Sequence, residues 1–357
     1  MTRKMEKHYL FFCAHDYAIT ILNPLQKEIE KRGDRVAWYL EKSCDRLQLP
    51  HQAIFLKTLK EVKAWNPIAV FAPGTYVYDF FPGVKVEVFH GYPIYKRGGT
   101  EETHFKIRGW FNIYLTAGPS STPIFKELEK KYHYFRAYET GWAKADAMVE
   151  AKESLLNRID EKKRIFVATT FSKNVTQLRN LYPTIERLSR EKDWEWVITR
   201  HPKLDDVELD IKYMKLAKEC ENVNYYTTPL SPIFMAKSDV MLCDSSSIIL
   251  EFMMLDKPVV TLRNTTPGPH ILNVEREEDV EQALETAFTR PPELMEEMRK
   301  YLSFHEAHLD GHNCERILDA VDDYLKNWSN LDYPRPLNLF RKLKIRLTYL
   351  RNKRWGK

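Results

Sequence analysis

The sequence predicts an α/β protein built as two doubly wound domains, each a mostly parallel sheet with helices on both faces, facing one another across a cleft. Three observations carry that expectation. Short apolar strand runs alternate with helix-periodic stretches along the 357 residues. The alternation gives way to a charged helical stretch around residues 142–162 and then restarts. The segments richest in histidine, serine and glycine fall just after strand runs, where open parallel sheets hold their ligands.

In chain order, HYLFFCA (8–14) reads as a buried strand. AITILNPLQKEIEKRG (18–33) reads as a helix ended by Gly33, and RVAWYLE (35–41) as the next strand. Strands follow at IAVFAPG, VKVEVFHG, IYLTAG and FRAYETG, with a helix over 120–132 between the last two. KADAMVEAKESLLNRIDEKKR (144–164) reads as an inter-domain connector. Beyond it come the strand RIFVATTF, a helix to about Lys192, and the strand WEWVITRHP. DVMLCDSSS then leads into the helix IILEFMMLD and the strand KPVVTLR. Two helices near 275–301 and one near 311–328 complete the pattern. The domains expected are therefore 1–145, 146–330 and a basic tail, 331–357.

Composition narrows the class. The chain is 43% hydrophobic and 29% charged, enough for two cores. Mean hydropathy is −0.50, and no apolar run is long enough to span a bilayer. The opening MTRKMEKHYLFFCAHD reads as a first core strand rather than a signal peptide. Five scattered cysteines without a CxxC pair point to reduced thiols and away from a zinc site. The net charge is +5, yet the last 23 residues hold nine Lys or Arg and no acid, so the body alone is −4. That argues against a nucleic-acid-binding body and for a local electrostatic contact at the C-terminus. Leu339, Phe340, Leu343, Leu347 and Leu350 fall on one helical stripe among basic residues, with Trp355 at the end. The stripe suits an anionic membrane surface, the alternative being packing onto the N-terminal domain.

Four stretches at strand ends carry the candidate chemistry. His90 follows VKVEVF and precedes Gly91, Lys96 and Arg97. An imidazole there can take a proton from an attacking alcohol, Gly91 permits a tight turn, and the two cations suit an anionic acceptor. Arg200 and His201 precede Pro202, an arrangement able to grip a phosphate and offer a donor to a leaving group. Asp244, Ser245, Ser246 and Ser247 open a helix, a setting that favours anions, although N-capping alone also explains such residues. Glu251 interrupts an apolar helix and needs a partner, which a ribose diol supplies. Arg263 heads the fourth stretch, RNTTPG.

VFHGYPIYKRGG, RHP and DVMLCDSSSIILEFMMLDKPVVTLRN resemble, in order, the motifs of the CDP-glycerol glycerophosphotransferase family, which builds teichoic-acid-like and capsular polymers. The resemblance spans residues 86–265. It implies a GT-B fold and transfer of a polyol phosphate, glycerol or ribitol phosphate, from a CDP donor to a hydroxyl of a glycan or lipid-linked polymer, with CMP released. His90 would then be the base, and His201 would lie beside the donor diphosphate. Arg200, Asp244, the three serines and Arg263 would hold the donor, Glu251 its ribose, and Gly91, Lys96 and Arg97 the acceptor. The stretch 244–269 also resembles the nucleotide-binding end of UDP-N-acetylglucosamine 2-epimerases, with Ser245-Ser246-Ser247 where those have Ser-Gly-Gly and Glu251 alone where they have an acidic pair. Tyr92 and Tyr95 likewise depart from the usual HG-T-P-L-K run. The expected setting is cytoplasmic, peripheral on the inner face of the cell membrane. No resident cofactor, metal or nucleic-acid partner is called for, although a diphosphate can recruit Mg²⁺. A GT-B enzyme using a UDP-sugar and a non-catalytic binding protein remain the alternatives.

Overall fold

The structure, a computed structural model, describes residues 5–93, 105–155, 162–172, 174–201, 203–227, 232–329 and 335–354. It divides into two compact units. The second runs from Ala147 to Phe304, while the chain from His305 onward belongs with the N-terminal part.

The first unit holds a seven-stranded, all-parallel sheet: β1 (His8–Cys13), β2 (Arg35–Leu40), β3 (Ile54–Phe55), β4 (Ala69–Ala72), β5 (Val84–Glu87), β6 (Ile113–Thr116) and β7 (Arg136–Glu139), in the order β3-β2-β1-β4-β5-β6-β7. Both sheet faces are covered, which is why β1 is apolar at consecutive positions rather than alternating. Leu10, Phe11 and Phe12 are all buried. Phe11 packs edge-on against Trp38 (4.8 Å) on one face, and Phe12 against Tyr78 (5.1 Å) on the other. The Trp38 indole N–H, deep in the core, donates to Gln26 Oε1 at 2.7 Å, so the ring is buried without stranding its donor.

The expected boundary at residue 330 is corrected here. Helix Asn313–Asn327 packs on helix Tyr17–Lys31 of the first unit. Arg32 pairs with Asp319 (2.9 Å) and Lys7 with Asp322 (2.7 Å). The N–H groups of Asn313 and Cys314, at the open end of that helix, donate to the Asp146 carboxylate at 3.0 and 2.8 Å. The tail also returns to this unit. The connection from β4 to β5 carries no helix. Helix Leu339–Arg354 covers that part of the sheet instead, burying Ile345 in the cluster that contains Phe12, Tyr78 and Phe81.

The second unit holds six parallel strands: β8 (Arg164–Ala168), β9 (Glu195–Thr199), β10 (Val223–Tyr226), β11 (Val240–Cys243), β12 (Val259–Leu262) and β13 (Leu272–Val274), ordered β10-β9-β8-β11-β12-β13. Helix Leu178–Glu191 presents Leu178, Leu181, Ile185 and Leu188 to Ile165, Val167, Trp196 and Ile198. That spacing places the four on one stripe, and burying each contributes about 1.5–3 kcal/mol before chain entropy is counted. Both units are thus doubly wound α/β folds of Rossmann type.

Candidate active site

In each sheet the strand order reverses once, between β1 and β4 in the first unit and between β8 and β11 in the second. At such a point neighbouring loops leave the strand ends in opposite directions and open a crevice. The candidate residues gather at these two places.

In the second unit the reversal is spanned by Asp244, which follows β11 directly and is fully buried. Its carboxylate accepts from the N–H of Thr170 at 2.9 and 3.1 Å and from the N–H of Gln177 at 3.2 Å. Its backbone carbonyl accepts from Asn264 Nδ2 at 2.9 Å. Ser245 Oγ accepts from the Thr265 N–H at 2.7 Å. Asp244 and Ser245 therefore knit the loops after β8, β11 and β12 together, which accounts for a buried charge and gives Asp244 a bracing place. Ser246 and Ser247 are half-buried, and Ser247 makes no side-chain capping bond to helix Ile248–Met253, so capping does not explain its hydroxyl. Glu251 lies buried in that helix. Arg263 has a left-handed backbone (φ 52°) and pairs with Glu277 at 3.0 Å while its Nη1 donates to Gln177 Oε1 at 3.3 Å.

His201 and Arg200 follow β9. The Arg200 guanidinium pairs with Asp210 (2.8 Å) and donates to the Leu204 carbonyl, so it braces its own loop. The His201 ring packs on Phe171, centroids 4.6 Å apart. Its Nδ1 accepts from the backbone N–H of Lys203 at 3.1 Å. An amide N–H can only donate, so neutral His201 carries its proton on Nε2.

In the first unit His90 is exposed three residues beyond β5. Its Nδ1 lies 3.2 Å from the Pro73 carbonyl, which follows β4. A carbonyl can only accept, so here the proton sits on Nδ1 and Nε2 is the basic nitrogen. The two histidines thus hold opposite tautomers. Tyr17 lies 5.4 Å from the His90 ring and His15 the same distance from Tyr17, so residues after β1 reach His90.

The turn that presents His90 is a strained one. Phe89 is left-handed (φ 51°), and Gly91 has φ 152° with open space where a Cβ would lie, so glycine is needed there for its backbone. Clamps hold both sides. The Trp142 indole donates to the Phe89 carbonyl at 3.3 Å, and Tyr92 donates its phenol proton to Glu306 at 2.6 Å. Glu306 also accepts from the Trp142 N–H (3.1 Å) and from Asn313 Nδ2 (3.3 Å). Burial pushes its carboxyl up to about 8, against the pull of these hydrogen bonds. Burial likewise lifts Glu87, the last residue of β5, to about 8.

Lys96 and Arg97 lie outside the described residues. Sequence reasoning missed Glu87, Trp142 and Glu306. Glu87 leaves a trace, an acid inside an apolar strand run. Glu306 leaves none, because only the fold brings it to Tyr92 from 214 positions away.

The fold recurs among known proteins. The chain matches the sequence profile of the family described as UDP-N-acetylglucosamine 2-epimerase over residues 128–322, more than half its length. No curated protein matches it. Solved structures with the same fold include the wall teichoic acid polymerase TagF, a variant soaked with CDPG, at 15% identity and TM-score 0.60, covering 89% of this chain and 88% of that one. A UDP-N-acetylglucosamine 2-epimerase aligns at 18% identity and TM-score 0.58, over 92% of this chain and 100% of that one. MnaA of S. aureus with UDP aligns at 17% identity and TM-score 0.55, over 93% and 99%. At these identities the likeness is one of fold, and it gives the chain the GT-B-like architecture expected of it. With a profile match running from before β7 to helix Asn313–Asn327, through every strand of the second unit, the chain belongs to the UDP-N-acetylglucosamine 2-epimerase family.

Proposed function

We propose that the protein transfers a polyol phosphate from a CDP-polyol to a hydroxyl of a glycan or polymer acceptor, releasing CMP. The observation that carries this reading is the basic Nε2 on His90, whose Nδ1 proton is held by the Pro73 carbonyl; in its own unit His201 presents a protonated Nε2. The acceptor hydroxyl gives its proton to His90 Nε2. Its oxygen attacks the β-phosphorus, the bond to the bridging oxygen breaks, and CMP leaves with the electron pair, its new charge met by the His201 Nε2–H. Ser246 and Ser247 bind the diphosphate, and Glu251 the ribose. Such a transfer asks for positioning and charge stabilisation more than for covalent help from the protein. The resemblance of the His90, His201 and serine segments to the glycerophosphotransferase motifs supports the same assignment.

Family membership favours a second reading, in which the nucleotide is a UDP-sugar and the reaction an epimerisation or glycosyl transfer. One experiment separates them. Incubation with CDP-glycerol, CDP-ribitol and UDP-N-acetylglucosamine, each with an acceptor glycan, is followed by nucleotide release and sugar analysis. CMP formed only with a CDP-polyol supports transfer. UDP or an epimerised sugar from the third substrate would replace the reading, and no turnover together with tight nucleotide binding would leave a binding protein.

A further inference from the structure

Helix Leu339–Arg354 is two-sided. One side is spent on the first unit. Ile345 is buried, and the Tyr349 ring packs on Tyr78 (5.3 Å) and Phe80 (5.2 Å) while its hydroxyl accepts from the Leu59 N–H at 3.4 Å. Arg346 pairs with Asp79 at 3.1 Å, and Arg341 donates to the Arg108 carbonyl at 2.9 Å. The helix is therefore a fixed part of the surface.

The opposite side is apolar and open. Leu339, Phe340, Leu343, Leu347 and Leu350 lie within an arc of about 100° at 3.6 residues per turn. They are 67%, 90%, 58%, 57% and 53% exposed. A packing role for the helix accounts for Ile345 and Tyr349 but not for five large apolar side chains in water. Charge borders the stripe. Lys344 and Arg351 run along one flank and Lys342 along the other, and no Asp or Glu occurs from Arg335 to the end. Among the described residues no helix is long and apolar enough to cross a membrane.

We propose that this face seats the protein on an anionic lipid surface, the leucines and Phe340 entering the boundary between headgroups and acyl chains and the flanking cations meeting lipid phosphates. The flanks decide between occupants. A second copy would bring the same cations against one another, whereas anionic headgroups neutralise them on both sides. Burial of Ile345 and Tyr349 means that the helix is already formed and oriented before it meets the bilayer, so docking requires no coil-to-helix transition. This surface is independent of the reaction proposed above, and either can fail alone.

Flotation of the full chain with vesicles tests it, comparing phosphatidylcholine with phosphatidylcholine–phosphatidylglycerol mixtures at low and high salt. The protein should float with the anionic vesicles, release as salt rises, and stay behind with the neutral ones. F340E/L347E, at exposed positions that the fold does not use, should lower partitioning about tenfold or more with an unchanged melting profile. K344E/R351E should lower it on anionic vesicles. The absence of flotation with anionic vesicles at low salt, or equal flotation by wild type and F340E/L347E, overturns the proposal. A dimer in sedimentation that F340E/L347E dissolves, without lipid binding, assigns the face to a second copy and overturns it too.

Discussion

The two strand ends that hold the candidate residues are built on different principles. In the second unit, one buried carboxylate, Asp244, gathers backbone amides from neighbouring loops, so the backbone itself is the scaffold. In the first unit the His90 turn is strained at Phe89 and Gly91, and side chains far along the sequence, Trp142 and Glu306, hold it in place. The first construction suits a surface that must offer fixed amides and hydroxyls to a nucleotide. The second suits a proton acceptor whose ring must be aimed, because strain persists only where surrounding contacts over-determine it. The difference teaches that the serine end is fixed through backbone amides and the histidine end through side chains.

The sharpest way to break the comparison is at His90 itself. His90→Ala should lower turnover by roughly 10²–10⁴-fold, the range of a general base, while nucleotide affinity measured by calorimetry stays near wild type. A large loss of nucleotide affinity would move His90 to the donor side. Next in size is Asp244→Ala. It strands the Thr170 and Gln177 amides in a buried setting and should cost about 3 kcal/mol in chemical denaturation, with nucleotide binding falling in parallel. Asp244→Ala at wild-type stability would show that the loops do not depend on it.

Glu306 sharpens the contrast through pH. Its folded carboxyl titrates near 8, above the usual carboxylate range, so between those values the folded state binds the extra proton. Its contribution is complete below the ordinary glutamate value and is lost as pH rises through about 8. Glu306→Gln, a neutral isostere, should therefore flatten the fall in stability between about pH 5 and pH 9. Glu306→Ala, which removes the acceptor for Tyr92, should lower turnover about tenfold without changing nucleotide affinity. An unaltered pH profile in Glu306→Gln would place the titration elsewhere, Glu87 being the next candidate. The smallest effects are expected at Ser246→Ala and Ser247→Ala, each costing about 1 kcal/mol in nucleotide affinity, since only one hydroxyl is lost. Unchanged affinity in both would remove the hydroxyls from the binding site.

Much of this was legible in the chain. Apolar runs such as LFFC and VMLC mark strands buried on both faces, and the histidine and serine segments mark strand ends, because sequence periodicity reports local burial. Three things were not. Strands β3 and β13 have two and three residues and carry too little pattern. The assignment of helix Asn313–Asn327 to the first unit rests on ion pairs and on Asp146 at its start, none of which has a sequence signature. The C-terminal helix was legible only by half. Its leucine stripe is plain in the sequence, but Ile345 and Tyr349, two residues on the other side, make the packing contact.

The return of the chain after Phe304 has a consequence for how the protein is made. A ribosome delivers all seven strands of the first sheet by Glu139, but Glu306 and the helix that covers Tyr17–Lys31 follow only after the whole second unit. At about 5–20 residues per second, the nascent first sheet waits on the order of ten to thirty seconds with one layer missing. The six strands of the second unit lie in one run of chain, Ala147–Phe304, and have no such delay. Protease digestion of stalled nascent chains should find 147–304 resistant first and the N-terminal strands resistant only once residues beyond 327 have emerged. Protection of the N-terminal strands before that point would show that they close unaided. Translation order thus makes the N-terminal half, although synthesised first, the last to be finished, and a natural client for holdase chaperones in the interval.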